Sequence, residues 1–161
     1  MVGREVFLQV KKEEAQPKEE ILNVQDLWVH DARGLLAVNG VSLNINAGEI
    51  VGIAGVEGNG QSELVEALTG LRKASKGTVH YLGEDIASSS PKNIRRKKIA
   101  HIPEDRTNTG LNTQLSIWEN LIGNSYFRKP LSSKGIFNLK KIANHACLLY
   151  TSDAADEKYR V

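Results

Sequence analysis

The stretch that most restricts what this chain can fold into is GIAGVEGNGQSELVEALTG, from Gly52 to Gly70. An apolar run of β type (Ile50, Val51, Ile53) leads into it and is expected to be a buried strand. A helical pattern led by Leu64, Val65 and Leu68 follows, with Gly70 placed to stop the helix. Between them, Gly55-Val56-Glu57-Gly58-Asn59-Gly60-Gln61-Ser62 keeps the G-x-x-x-x-G-K-[ST] frame of a phosphate-binding loop, with Gln61 standing where the frame has Lys. Glycines allow backbone N–H groups to approach phosphate oxygens closely, and a helix N-terminus behind them adds partial positive charge. The expected cradle is therefore Gly55, Glu57, Gly58, Asn59, Gly60, Gln61, Ser62 and Glu63, and the Ser62 hydroxyl stands where it would reach a Mg²⁺ ion. Gln61 can donate a hydrogen bond but carries no charge, so this loop should hold phosphate less tightly than a Lys version. An ordinary Gly-rich β-to-α turn is the competing reading, and the apolar flank before the loop and the amphipathic one after it favour the nucleotide.

The rest of the chain surrounds this loop with short elements. Ile21 to Val29 alternates as a strand, as do Val41, Leu43 and Ile45, and Thr78 to Leu82 reads as a third. Strands ahead of any helix suit an antiparallel sheet beside the loop. Ser90-Pro91 opens a helix that carries Lys92, Arg95, Arg96, Lys97 and Lys98. No aromatics interleave these cations, so the pattern is that of a solvated face, with no nucleic acid as partner. Ile99 to Ile102 reads as a second buried strand, delivering Pro103-Glu104-Asp105-Arg106 at its end. Ser116 with Glu119 forms a capping box for a helix to about Gly123. Pro130 to Gly135 reads as loop, and Phe137 to about Ala146 as the start of another helix.

Three segments, VNGVSLNINAGEIVGIAGVEGNGQSELVEALTG, KGTVHYLGEDI and IAHIPEDRTNTGL, resemble the second nucleotide-binding domain of a sugar- or nucleoside-importing ABC transporter ATPase, the type with two such domains in one chain. The resemblance covers residues 21–146. It implies an α/β fold: a P-loop NTPase core of ABC ATPase type with an N-terminal antiparallel β subdomain, incomplete, its helical subdomain begun. It also implies ATP and Mg²⁺ as cofactors, and a parent subunit that couples ATP binding and hydrolysis to uptake of a sugar or nucleoside. Implied partners are the other nucleotide-binding domain or a second copy, transmembrane permease subunits and, indirectly, a solute-binding protein, at the cytoplasmic face of the membrane. By the same resemblance, Glu104 falls where a glutamine would contact Mg²⁺ or the attacking water, and a carboxylate can also ligate Mg²⁺; a surface ion-pair turn of Glu104, Asp105 and Arg106 stands beside that reading. Trp28 and His30 are the nearest candidates for stacking on adenine, against a strand-face Trp and a solvated His. Trp118 and Tyr126 fall in the segment that in such proteins touches the membrane partner, with core packing as the alternative for Trp118.

Composition narrows the classes further. A chain of 161 residues, 40% hydrophobic and 25% charged, is ordinary for one globular domain. A net charge of +2 gives no argument for an anionic macromolecular partner. No apolar run approaches the roughly 18 residues that span a bilayer, and the single Cys147 allows no internal disulfide. A working domain of the resembled family also needs a Ser-Gly-Gly signature, a Walker B Asp followed by a carboxylate, and a switch His; none is present, so no catalytic residue is assigned. Cys147 to Glu157, CLLYTSDAADE, resembles the translation of a transposase-based sequencing adapter. Residues 147–161 are accordingly expected to be a non-native tail, residues 1–20 a linker between domains, and Met1 an internal methionine of a longer chain. A purely regulatory domain that holds nucleotide without turning it over, or a non-functional truncated product, are the alternative readings.

Overall fold

The computed structural model describes residues 16–56 and 58–151, which divide into two compact units, one up to Ala100 and one from His101 onward. Most of the expected linker and tail, and Glu57 within the loop, lie outside the described residues.

In the first unit, β1 (Glu20–His30) and β2 (Leu36–Asn46) form a long antiparallel hairpin, α1 covers Gln61–Leu68, and β3 (Lys76–Tyr81), β4 (Glu84–Asp85) and α2 (Pro91–Arg96) follow. The sheet order is β2-β1-β3-β4, antiparallel throughout, as the leading alternation predicts. Alternation puts Val24, Leu27, Val29, Val38 and Val79 on one face, where Leu64 and Ala67 of α1 cover them together with Ile86. That contact anchors the helix behind the phosphate-loop frame to the sheet.

The turn between β1 and β2 is tied by one carboxylate. Asp31 Oδ1 accepts from the backbone N–H groups of Arg33 and Leu35 at 2.8 Å each, and Asp31 Oδ2 accepts from Arg33 Nε at 2.9 Å. The Leu35 amide first, then the Arg33 side chain, holds the Asp31 carboxyl below its ordinary value of 3.8. Farther along β1, Asp26 takes a left-handed φ of 47° at an irregularity in the ladder. Its carboxylate accepts from Trp28 Nε1 at 2.7 Å and pairs with Lys76 Nζ at 2.6 Å, while the Lys76 ammonium lies 5.4 Å from the Trp28 ring centroid.

Helix termini follow local chemistry. α1 ends in a Schellman arrangement: Gly70 takes φ 74°, its N–H donates to Ala67 O at 3.2 Å, and Leu71 N–H donates to Glu66 O at 2.8 Å. Ser90 caps α2 ahead of Pro91 and accepts from Asn93 N–H at 3.4 Å. The helix is shorter than the basic run suggests, for Lys97 is its C-cap and Lys98 already has a φ of 68°. Lys97 pairs with Glu84 of β4, and Arg96 donates to Asn93 Oδ1, so part of the cationic face is engaged within the unit.

The two expected buried strands are corrected. Residues 50–53 and 99–102 have no strand assignment, and Ile50 (84% exposed), Ile53 (54%) and Ile102 (90%) face solvent, although Ile99 packs against the first unit's core. A strand of the parallel type is buried only when neighbours hydrogen-bond on its flanks and elements cover its faces. None of the six paired strands among the described residues offers either stretch such a neighbour.

The second unit holds α3 (Ile117–Ile122), a short hairpin of β5 (Ser132–Ser133) and β6 (Ile136–Phe137), and α4 (Leu139–Thr151), around Ile122, Leu131 and Ile142. The segment expected as loop at Pro130–Gly135 thus contributes β5 and a turn in which Lys134 and Gly135 have φ of 51° and 82°. The last helix starts at Leu139, not Phe137, and passes through the expected boundary at Ala146. At the start of α3, Glu119 Oε2 accepts from Ser116 N–H at 2.9 Å and from Ser116 Oγ at 2.6 Å, and the hydroxyl, then the amide, holds the Glu119 carboxyl below its ordinary value.

Candidate functional site

The loop before α1 is built around Gly60. It is the N-cap, it is buried, and it takes φ 90° and ψ 2°, a conformation that side-chain-bearing residues rarely adopt. A Cβ here would collide with the carbonyl of Ala37 in β2, whose carbon would lie 3.0 Å away, and would meet Val38 Cγ2 at 3.6 Å. Glycine is therefore required twice at this position, by dihedral and by approach. Gly58 also has a left-handed φ, 85°, but a Cβ there would meet nothing within 4 Å.

Leu64 N–H makes the first helical bond, to Gly60 O at 2.9 Å, and α1 has no side-chain cap. The amides of the first turn, Gln61, Ser62 and Glu63, therefore belong to the donors that an α-helix leaves without an internal acceptor. Ser62 is exposed on that turn and Glu63 is half-buried. Exposed backbone amides at a helix start, with glycines before them, suit a phosphate oxygen. No basic side chain lies in α1's last turn, and its first turn carries one acidic residue, Glu63. Between the loop and β2 lies a cavity of about 380 Å³, lined by Ala37, Val38, Gly55, Asn59, Gly60 and Gln61 among others. The structure thus brings Gly55, Asn59, Gly60 and Gln61 to one hollow. Gln61 is half-buried and folds back over the loop, its Cδ only 2.8 Å from where a Gly55 Cβ would stand.

The remaining predicted residues have separate settings. Glu104 is exposed and belongs to the second unit. Its neighbour Asp105 caps a single π-type turn, Arg106–Gly110, accepting from Thr107 and Asn108 N–H at 2.9 Å each and from Asn108 Nδ2 at 2.7 Å. The Asn108 backbone N–H leads in holding the Asp105 carboxyl below 3.8. This is a surface turn held by amides. Among the described residues no three His, Cys, Asp or Glu side chains gather as metal ligands. Trp28 is committed to Asp26 and Lys76 on the sheet, and the exposed His30 offers its backbone carbonyl to Arg72 Nη1 at 3.1 Å. Trp118 is 41% exposed and borders an apolar hollow with Ile117, Leu121, Ala143 and Ala146; Tyr126 stacks edge-on with Phe127 and Phe137 at 5.4 and 6.3 Å between centroids. The contacts of Gly60 with Ala37 and of Gln61 with Gly55 escaped sequence reasoning. Only the glycine at the frame's second fixed position hinted at the first.

Residues 38–159 match the ABC transporter family, a span that runs through the segment expected to be non-native. The guanosine import ATP-binding protein NupO of Bacillus subtilis (strain 168) is 46% identical over 151 residues, covering 94% of this chain and 30% of that protein. The nucleoside import ATP-binding protein NupA of Lactococcus lactis subsp. cremoris (strain MG1363) is 42% identical over 146 residues, covering 91% and 29%. The chain therefore spans under a third of the length of these relatives. Among solved structures, the ADP conformation of an ATP-binding cassette of an ABC transporter superposes with a TM-score of 0.55 at 26% identity, covering 88% of this chain and 49% of that one.

Proposed function

Because the chain belongs to the ABC transporter family, we propose that it is the nucleotide-binding part of an ATP-binding subunit that powers import of a nucleoside. The observation that carries this is the phosphate-loop frame seated at the start of α1, with Gly60 pressed against Ala37 and the first-turn amides of α1 left uncapped. The names of two relatives, nucleoside and guanosine import proteins, support the nucleoside, and a sugar is the alternative solute. Gly55, Gly58, Asn59, Gly60 and Gln61, with Glu57 and Glu63, form the cradle; Ser62 is the candidate ligand for Mg²⁺ beside it, and Glu104 is a separate candidate on the strength of the family resemblance alone. When bound, Mg²⁺ would neutralise charge on the terminal phosphates. The partners are a second nucleotide-binding domain, in the same protein or another copy, and permease subunits at the cytoplasmic face of a membrane, with a solute-binding protein upstream. No helix among the described residues is long and apolar enough to cross a membrane itself. Residues 1–20 act as linker, 21–146 as a partial nucleotide-binding domain, and 147–161 as a non-native tail.

The chain binds Mg-ATP weakly and does not hydrolyse it, since it carries no catalytic base. Titration with a fluorescent ATP analogue tests this: binding should saturate and should be lost in Gly60→Asp, which puts a charged side chain against the Ala37 carbonyl. ATP turnover that survives repurification and disappears in Gly60→Asp would overturn the non-hydrolytic half. The neutral Gln61 favours a second reading, in which this site holds nucleotide for regulation throughout the protein's cycle. Hydrolysis by the longer protein after its other domain is disabled would exclude that reading.

A further inference from the structure

The Gln61 side chain turns back across the loop and lies on Gly55. A Cβ built at Gly55 would fall within the Gln61 carboxamide, 2.8 Å from Cδ and 3.6 Å from Cγ, and its three nearest neighbours are all Gln61 atoms. Gly55 is absent from the residues with positive φ, so its backbone does not by itself ask for glycine. The open face of Gly55 is space taken by the Gln61 amide. That amide is neutral, carries both donors and an acceptor, and lies in the hollow that Gly55, Asn59 and Gly60 help to line.

Resting on the proposed phosphate-binding role of this loop, we infer that the Gln61 carboxamide is an internal occupant of the loop that an incoming phosphate must displace. Gln61 then sets affinity by competition. A lysine reaching a bound phosphate would gain charge attraction for leaving its resting place, whereas the neutral amide has no such gain to set against giving up its packing on Gly55. Truncating the side chain should accordingly improve binding, which is the opposite of what loss of a contact residue does.

Two variants test this on the full chain, with Mg-ADP and pyrophosphate as the probes. Gln61→Ala removes the amide. Gly55→Ala evicts it, and the ordinary backbone at that position lets alanine in without dihedral strain. Each should tighten both probes by about 3- to 10-fold, because the phosphate no longer has to displace the amide. In ¹⁵N-labelled protein, the Gln61 side-chain amide resonances should move when pyrophosphate is added. Weaker or unchanged binding in Gln61→Ala overturns the inference, as do opposite shifts in the two variants or a side-chain amide that pyrophosphate leaves unmoved. If Gly55→Ala loses its native circular dichroism, Gln61→Ala alone decides. Wild-type binding that is saturable and abolished by Gly60→Asp keeps the nucleotide reading intact even when the occupant falls; no saturable binding by any form sinks both.

Discussion

Alanine at Gly58 and alanine at Gly60 should have clearly different costs, although both glycines are left-handed and stand two positions apart. At Gly58, φ is 85° and an added Cβ meets nothing within 4 Å, so only the dihedral penalty applies, about 1–2 kcal/mol. At Gly60, φ is 90° and the same penalty applies, but the Cβ also enters the Ala37 carbonyl and meets Val38 Cγ2 at 3.6 Å. Forcing a methyl into a packed site adds about 1–3 kcal/mol. Relaxation is limited, because Leu64 and Ala67 just below are buried against the sheet and hold α1 in place. The expected losses are therefore about 1–2 kcal/mol for Gly58→Ala and about 2–5 kcal/mol for Gly60→Ala. Equilibrium urea unfolding, followed by Trp28 fluorescence in a Trp118→Phe background, reports on the first unit, where β1 carries Trp28. Losses that agree to within about 0.5 kcal/mol, the usual reach of a surface change, would refute the reasoning. They would mean that β2 does not press on the loop.

Other outcomes follow from single contacts. Asp31→Asn should lower the midpoint of thermal unfolding at pH 7. A carboxyl held below 3.8 in the fold contributes its stability above the unfolded value and loses it as pH falls through the folded one, so the gap between variant and wild type should close only below about 3.8; a gap that persists at pH 2 would assign the effect to packing. Leu27→Ala, at a fully buried core position, should cost about 2–5 kcal/mol by urea unfolding. Leu35→Ala, 58% exposed in the adjacent turn, should stay within about 0.5 kcal/mol. Ser116→Ala removes the hydroxyl that donates to Glu119 at 2.6 Å, and should speed amide exchange across α3 by about fivefold, equivalent to about 1 kcal/mol; exchange at the wild-type rate would show that the carboxylate caps the helix alone.

Features whose partners lie within a helical turn or so were legible in the sequence. Ser90 with Asn93, Ser116 with Glu119, Gly70 with the carbonyl of Ala67 and Leu71 with that of Glu66 each close a bond over a few residues, so composition and spacing suffice to place them. The alternation that makes β1 and β2 a hairpin is likewise written in the order of apolar and polar side chains. The phosphate-loop frame is of this kind too, and with it the family. Tertiary structure alone decided what met across longer separations. The runs at 50–53 and 99–102 have the composition of buried strands, but burial belongs to a strand and its neighbours together, and the antiparallel sheet of the first unit pairs β2, β1, β3 and β4 without them. The Ala37 carbonyl under Gly60, and Lys76 reaching Asp26 and the Trp28 ring, depend on how α1 and β3 lie on the hairpin. Local bonds are set by chain connectivity. These contacts are set by which surfaces the folded chain brings together, and no spacing rule contains that.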